Sequence, residues 1–242
     1  MHDFLVFQLY GPMAAWGDIA VGEYRPSFAH PSKSAIVGLL AAALGIRRDE
    51  EDRHIKLANS CLFAVRVDSI GLLLRDYHTT QVPSAKRGVT HYTRRSELAG
   101  NDQNTILSSR DYRCDAAYTI VICMVEDSLH SIAELATALQ KPVFTLYLGR
   151  KSCPLALPIH PLIIQATSLH EALSGIENVA LREITAKSPV LIYWEDGLEG
   201  GIAQSQTIVR RDALRSRKRW QFNERKENCG FFHKEDASCT SA

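Results

Sequence analysis

No window of this 242-residue sequence approaches the eighteen or so uninterrupted apolar residues that a membrane helix needs, so no membrane partner is expected. The opening Met1-His2-Asp3-Phe4 lacks a basic n-region and a small-residue cleavage site, which argues against secretion. Cysteine is present without pattern. Cys61, Cys114, Cys123, Cys153, Cys229 and Cys239 form no C-x-x-C pair, and the expectation is reduced thiols in a cytoplasmic protein. Cys229, His233 and Cys239 have no fourth partner of suitable spacing, so no metal is expected there. Net charge is nearly absent at +1, which gives no global nucleic-acid signal but leaves room for charge sorted into patches. Catalytic signatures are missing too. The chain has no H-E-x-x-H, no G-x-S-x-G and no G-x-G-x-x-G, and no glycine run precedes Lys33-Ser34. A nucleotide-binding loop of the usual form is excluded, and no cofactor is expected.

What is there reads as a folded α+β chain, with 45% apolar and 23% charged residues. Phe4–Tyr10 is an apolar strand stopped by Gly11-Pro12, and Pro31-Ser32-Lys33-Ser34 starts a helix that Gly45 ends. Strands follow at Cys61–Asp68 and Tyr118–Val125. A second helix is started by Asp127-Ser128 and closed by Pro142, and a fourth strand is expected at Val143–Tyr147. The order strand, helix, strand, strand, helix, strand is that of the ferredoxin-like fold. The core is placed at 1–150. It carries a polar insertion of about forty residues, 75–115, of a length that is usually functional. A β-rich C-terminal part is placed at 151–226, with strand runs at 179–185, 190–194 and 206–209 and a basic segment at 210–226. A disordered tail is expected from 227 to 242.

Charge sorting carries the functional signal. Arg210, Arg211, Arg215, Arg217, Lys218, Arg219, Arg225 and Lys226 face only Asp212 and Glu224 in one short stretch. The insertion carries Arg75, Lys86, Arg87, Arg94, Arg95, Arg110 and Arg113 interleaved with Tyr77, His78, His91, Tyr92 and Tyr112. Cationic groups bind phosphates, and rings and guanidinium planes stack on unpaired bases, which is what single-stranded RNA asks for. Either segment could equally be a solvated basic surface; together they favour nucleic acid. The loops Gly11–Gly17 and Leu148–Pro154 offer glycine for close approach to phosphate, with Arg150 and Lys151 for charge, or else simple tight turns. Tyr77-His78 and His91-Tyr92 keep open a metal-independent endoribonuclease.

Several ordered blocks resemble the "Cas five" family of CRISPR-associated proteins, most of all its CasD branch from type I-E Cascade. They are Gly11-Pro12 with Ala15-Trp16-Gly17, Arg25-Pro26, Pro31–Ser34 with Gly38–Ile46, Leu74–Thr79, Tyr112–Ala116 and Tyr147–Leu155. The resemblance covers about residues 4 to 160 and weakens beyond 165, apart from Arg210–Trp220. It implies a ferredoxin-like, RRM-type body with a β-hairpin-like thumb. It also implies a non-catalytic role in antiviral defence, holding the 5′ handle of a crRNA at one end of the Cascade filament. The implied neighbours are the backbone subunit CasC and the large subunit CasA, with target DNA met through the assembled complex. A type I-C-like relative cuts precursor RNA with Tyr, Lys and His, and these have no matching positions here. The RNA contacts expected are Trp16, Tyr77 and Tyr112 by packing or stacking, and Arg25, Lys33, Ser34, Arg75, Arg150 and Lys151 at phosphates. His78, Arg94, Arg95, Arg113, Ser152, Arg210 and Arg211 complete the set.

Overall fold

The run Phe4–Phe7 is apolar at consecutive positions rather than alternate ones. The computed structural model of the chain, which describes residues 1–100, 102–176 and 189–233, gives the reason. This segment lies in strand β1 (His2–Tyr10), which is covered on both faces. Leu5, Phe7 and Leu9 join a core beneath the main helices, while Phe4 and Val6 join a second core on the opposite face. In chain order there follow β2 (Met13–Ala14), β3 (Tyr24–Arg25), α1 (Lys33–Ala43), α2 (Glu51–Ser60), β4 (Cys61–Ser69), β5 (Leu72–Pro83) and α3 (Arg94–Glu97). Then come β6 (Gln103–Cys114), β7 (Ala117–Met124), α4 (Ile132–Gln140), β8 (Leu162–Ala166), α5 (Leu169–Ser174), β9 (Val190–Glu195), β10 (Gln204–Ser216) and β11 (Gln221–Phe232).

Strands β4, β7, β1 and β8 stand side by side in that order, each antiparallel to its neighbour. With α1 and α4 as crossovers, this is the ferredoxin-like unit. Strands β9, β11 and β10 continue the same sheet beyond β4 to seven strands. On the second face Arg66 is 0% exposed. Its Nε donates to Asp68 at 2.7 Å and its Nη1 to the Leu173 carbonyl at the end of α5, at 3.3 Å. A buried guanidinium needs such partners, and here it ties α5 to the sheet.

Three expectations are corrected. Val143–Tyr147 is not the fourth strand. The Val143 and Phe144 amides instead donate to the Ala43 and Ala42 carbonyls at the end of α1, groups a helix leaves unpaired. The fourth strand is β8, so the core unit runs past the boundary expected at 150. The tail does not begin at 227, because Glu227–Phe232 pair with β9 and Phe232 is buried. Helix α4 is capped by Ser131, whose side chain accepts from the Glu134 amide, rather than by Asp127 or Ser128. The run at 179–185 and residues 234–242 lie outside the described residues.

The insertion is a long hairpin, β5 paired with β6 from Leu72↔Cys114 to Pro83↔Gln103. It shows no period of two because most of it meets no core, so little fixes which side must be apolar. At its root the loops Gly11–Gly17 and Leu148–Pro154 pack on one another, and the Ala15 amide donates to the Leu148 carbonyl at 3.0 Å. Gly149 has φ +84°, and a Cβ there would lie 1.9 Å from the Ala15 carbonyl oxygen. Gly149→Ala is therefore expected to destabilise the chain by about 2 kcal/mol or more in urea unfolding. Gly17→Ala, whose methyl meets nothing within 4 Å, should stay within about 0.5 kcal/mol of the parent.

Candidate nucleic-acid interface

An RRM-type sheet ordinarily reads RNA on its open face with exposed aromatics. Here that face is closed by α5, Trp194 and Phe232, which form the second core. The open concavity lies elsewhere. A groove of about 1250 Å³ runs between α1, the segments 15–30 and 145–150, and the hairpin β10–β11. Its floor includes Ala35, Gly38 and Ala42, small residues on one side of α1, with Arg217 Nη2 3.6 Å from where a Gly38 Cβ would stand. Arg25 and Arg150 line it from the loops, and Arg211, Arg215 and Arg217 from the hairpin. Arg210 and the carboxylates Asp18, Asp212, Glu224 and Glu227 are also in the lining, so six arginines face four carboxylates along it.

Beneath the groove a buried ionic cluster fastens the hairpin to the body. Lys33 Nζ lies 2.9 Å from Glu195 Oε2. Arg225 Nε donates to Asp212 Oδ1 at 2.6 Å, and its Nη2 to Glu227 Oε1 at 2.6 Å. The Asp212 Oδ2 in turn accepts the Lys33 backbone amide at 2.8 Å, at the first turn of α1. Burial works to raise the Asp212 carboxyl, but the Arg225 hydrogen bonds and charge outweigh it and the net shift is downward. At Glu195 burial prevails over Lys33 and Arg225, and the carboxyl is raised. His30 is stacked on Tyr193 at 3.9 Å and has Arg210 Nη1 2.9 Å from its Nδ1. Burial, then the Arg210 charge, push His30 down to about 3, so it is neutral in the fold.

This cluster redistributes the expected contacts. Lys33 is held by Glu195 through its side chain and by Asp212 through its backbone amide; Ser34 remains at the groove floor. Arg210 is 4% exposed and committed to His30 and Glu227, whereas Arg211 beside it is exposed and lines the groove. Trp16 is 1% exposed, packed edge-on against Tyr118, and has no face for a base. Tyr112 is buried beneath the Arg150 guanidinium at 4.7 Å. Arg150 also donates to the Asp111 and Arg25 carbonyls, which draws Arg25 and Arg150 together at one end of the groove. Gly11 and Gly149 allow close approach of backbone to backbone between the two loops, Gly17 and Gly149 also line the groove, and Lys151 and Ser152 stand exposed beside them, outside the lining.

Thumb residues form a separate surface. Arg75 is engaged by Asp111 through Nε at 2.8 Å, and its guanidinium lies over Tyr24 at 4.9 Å. The Arg113 Nε is 3.4 Å from the Phe28 carbonyl. Tyr77 and His78 are both exposed but project to opposite sides of β5, and His78 lies 2.9 Å from Asp76. Arg94 and Arg95 are exposed at the far end, where Arg94 reaches Glu97 and the Gln81 carbonyl. Among the described residues no group of three His, Cys, Asp or Glu is placed to hold a metal, and no helix is long and apolar enough to cross a membrane. Sequence reasoning passed over Arg215 and Arg217 as contacts. Arg210 and Asp212 turn inward and Arg211 turns out, but the pairing shifts register between Arg210 and Ala213, and Arg217 lies beyond the end of β10, so alternation in the sequence does not point to either residue.

Fold and groove together define a ferredoxin-like, RRM-type protein whose basic cleft lies beside the sheet rather than on it. The family model described as CRISPR-associated protein (Cas_Cas5) matches residues 4–227, and the chain belongs to that family. It is 36% identical over 188 residues to the CRISPR system Cascade subunit CasD of Escherichia coli (strain K12), covering 74% of this chain and 79% of that one. A solved structure described as a Cas protein superposes with a TM-score of 0.66 at 26% identity, covering 96% of this chain and 95% of the other. A chain of a CRISPR RNA-guided surveillance complex shares the fold with a TM-score of 0.64 at 24% identity, over 95% of this chain and 90% of that one.

The neutral His30 gives the cluster a pH signature. An unfolded histidine protonates below about 6.5 while His30 does not, so its contribution is complete above 6.5 and shrinks as pH falls toward 3. Unfolding free energies measured at pH 7.5 and 5.5 should show a loss of about 1.4 kcal/mol from this group. His30→Gln should remove that increment of pH dependence, whatever its effect at pH 7.5.

Proposed function

We propose that this chain is the CasD-type subunit of a type I-E-like Cascade and holds the 5′ handle of its crRNA in the arginine-lined groove. The observation that carries the reading is the groove itself: a cleft open along α1, with arginines contributed from two separate parts of the chain, in a protein whose sheet face is closed. The curated relative is a Cascade subunit, and the chain matches it over most of both lengths.

The chemistry follows from an unpaired strand. Arg25 and Arg150 at the loop end and Arg211 and Arg215 on the hairpin neutralise successive phosphates. The small residues of α1 let the backbone of the strand sit close to the helix, and the bases turn outward where edges and faces can be read. Exposed Arg94 and Arg95 at the thumb end follow the guide further or meet the adjoining backbone subunit, CasC, and the body meets the large subunit, CasA. The protein acts by binding rather than by cutting, in the cytoplasm, as part of antiviral defence; target DNA reaches it only through the assembled complex.

Coexpression with the neighbouring Cascade genes, followed by sequencing of the copurified RNA, is expected to yield guides that share one repeat-derived 5′ end. For the purified chain and unpaired repeat RNA, Arg211→Ala with Arg215→Ala should reduce the slope of log affinity against log salt by about 1.4, or about 0.7 for each phosphate no longer neutralised. Site-specific cleavage of repeat RNA by the chain alone, unaffected by EDTA, would instead establish an endoribonuclease.

A further inference from the structure

The turn joining β10 to β11 holds a residue that its backbone does not favour. Trp220 has φ +56°, the left-handed region where a bulky side chain is strained and glycine or asparagine is the usual occupant. Strain of this kind persists where the side chain is needed. The indole is 55% exposed and lines the end of the groove beside Gln221 and Phe222. It is also held in place. The Arg217 guanidinium lies 4.3 Å and that of Arg48 5.1 Å from its ring, and Phe222 meets it edge-on at 5.8 Å.

The two arginines add a second, independent observation. Arg217 is half-buried and its Nε has no hydrogen-bond partner among the described residues. Arg48 approaches the same ring from the segment between α1 and α2, so two positive charges converge at one aromatic side chain. A fixed indole that stays half-open with two guanidinium groups over part of its ring can receive a nucleotide, with the base on the ring surface left open and the phosphate on guanidinium.

We propose that Trp220 is a base-stacking platform at one end of the groove, taking an unpaired nucleobase of the bound RNA while Arg48 and Arg217 hold the adjoining phosphate. This rests on the RNA-binding reading above and names the nucleotide subsite within it.

The three tryptophans make the test direct. Trp16 and Trp194 are 1% and 4% exposed, so Trp220 is the indole that a ligand can reach. The full chain is titrated with a short unpaired RNA and with an abasic ribose-phosphate strand of equal length, following tryptophan emission and affinity. Intact RNA is expected to quench the emission and the abasic strand to bind without quenching. Trp220→Ala should lose the quench and bind RNA about 5- to 150-fold more weakly. Trp220→Gly suits the left-handed backbone, so the hairpin is retained and the same loss should appear in a folded protein. Equal quenching by the abasic strand, or unchanged RNA affinity in the Gly variant, would overturn the platform. If RNA binds with an arginine-dependent salt slope while Trp220 stays unquenched, only this inference fails. If no RNA binds the parent chain, the groove reading fails with it.

Discussion

The architecture of the groove depends on one carboxylate. Asp212 projects from β10 and takes two partners at once, the bidentate Arg225 on the neighbouring strand and the Lys33 amide on α1. Through those bonds the last hairpin of the sheet is fixed against the first helix of the fold, and the gap between them becomes the groove. A buried ion pair of this kind gives modest net stability, because desolvation offsets much of the attraction. Its effect is geometric. Removing one partner leaves the others charged and buried, so the hairpin has a single acceptable seat.

The same cluster explains why a basic segment divides into two populations. Arg210 and Arg225 have the composition of phosphate ligands but are turned inward, where Glu227, Asp212 and Glu195 neutralise them. Arg211 and Arg215 remain outward beside the groove. Inward arginines hold the wall and outward ones give it its charge. Composition alone cannot separate these jobs, since a run rich in Arg and Lys carries no statement of which side of a strand is buried.

The ferredoxin-like order was legible because β1, β4, β7, α1 and α4 have core faces that impose a period or an unbroken apolar run, and of the two serines at the start of α1 it is Ser32 that caps the helix. Legibility failed where partners are distant in sequence. Val143 and Phe144 look like a strand but spend their amides on α1. Glu227–Phe232 look like a polar tail but complete β11 by pairing with β9, and the Glu227 carboxylate meets Arg210, 17 positions away, as well as Arg225. For the site, Arg25, Arg150 and Arg211 were readable from charge and loop position. Trp16 was readable only as an aromatic, and its place in the core followed from packing that one sequence does not display. Trp220 gained meaning only from its backbone angle.

Helix α1 is a beam pinned at both ends by backbone amides. Asp212 takes the amide of Lys33 at its start, and Val143 and Phe144 donate to its last carbonyls. A floor supported in this way cannot tilt or slide to admit a strand. The far turn of the β10–β11 ribbon lies beyond the ionic anchor, where Trp220 meets Arg48, Arg217 and Phe222. The wall of the groove is thus fastened by two kinds of bond, charge and backbone amide where it meets the helix, and contacts to an aromatic ring at its outer corner.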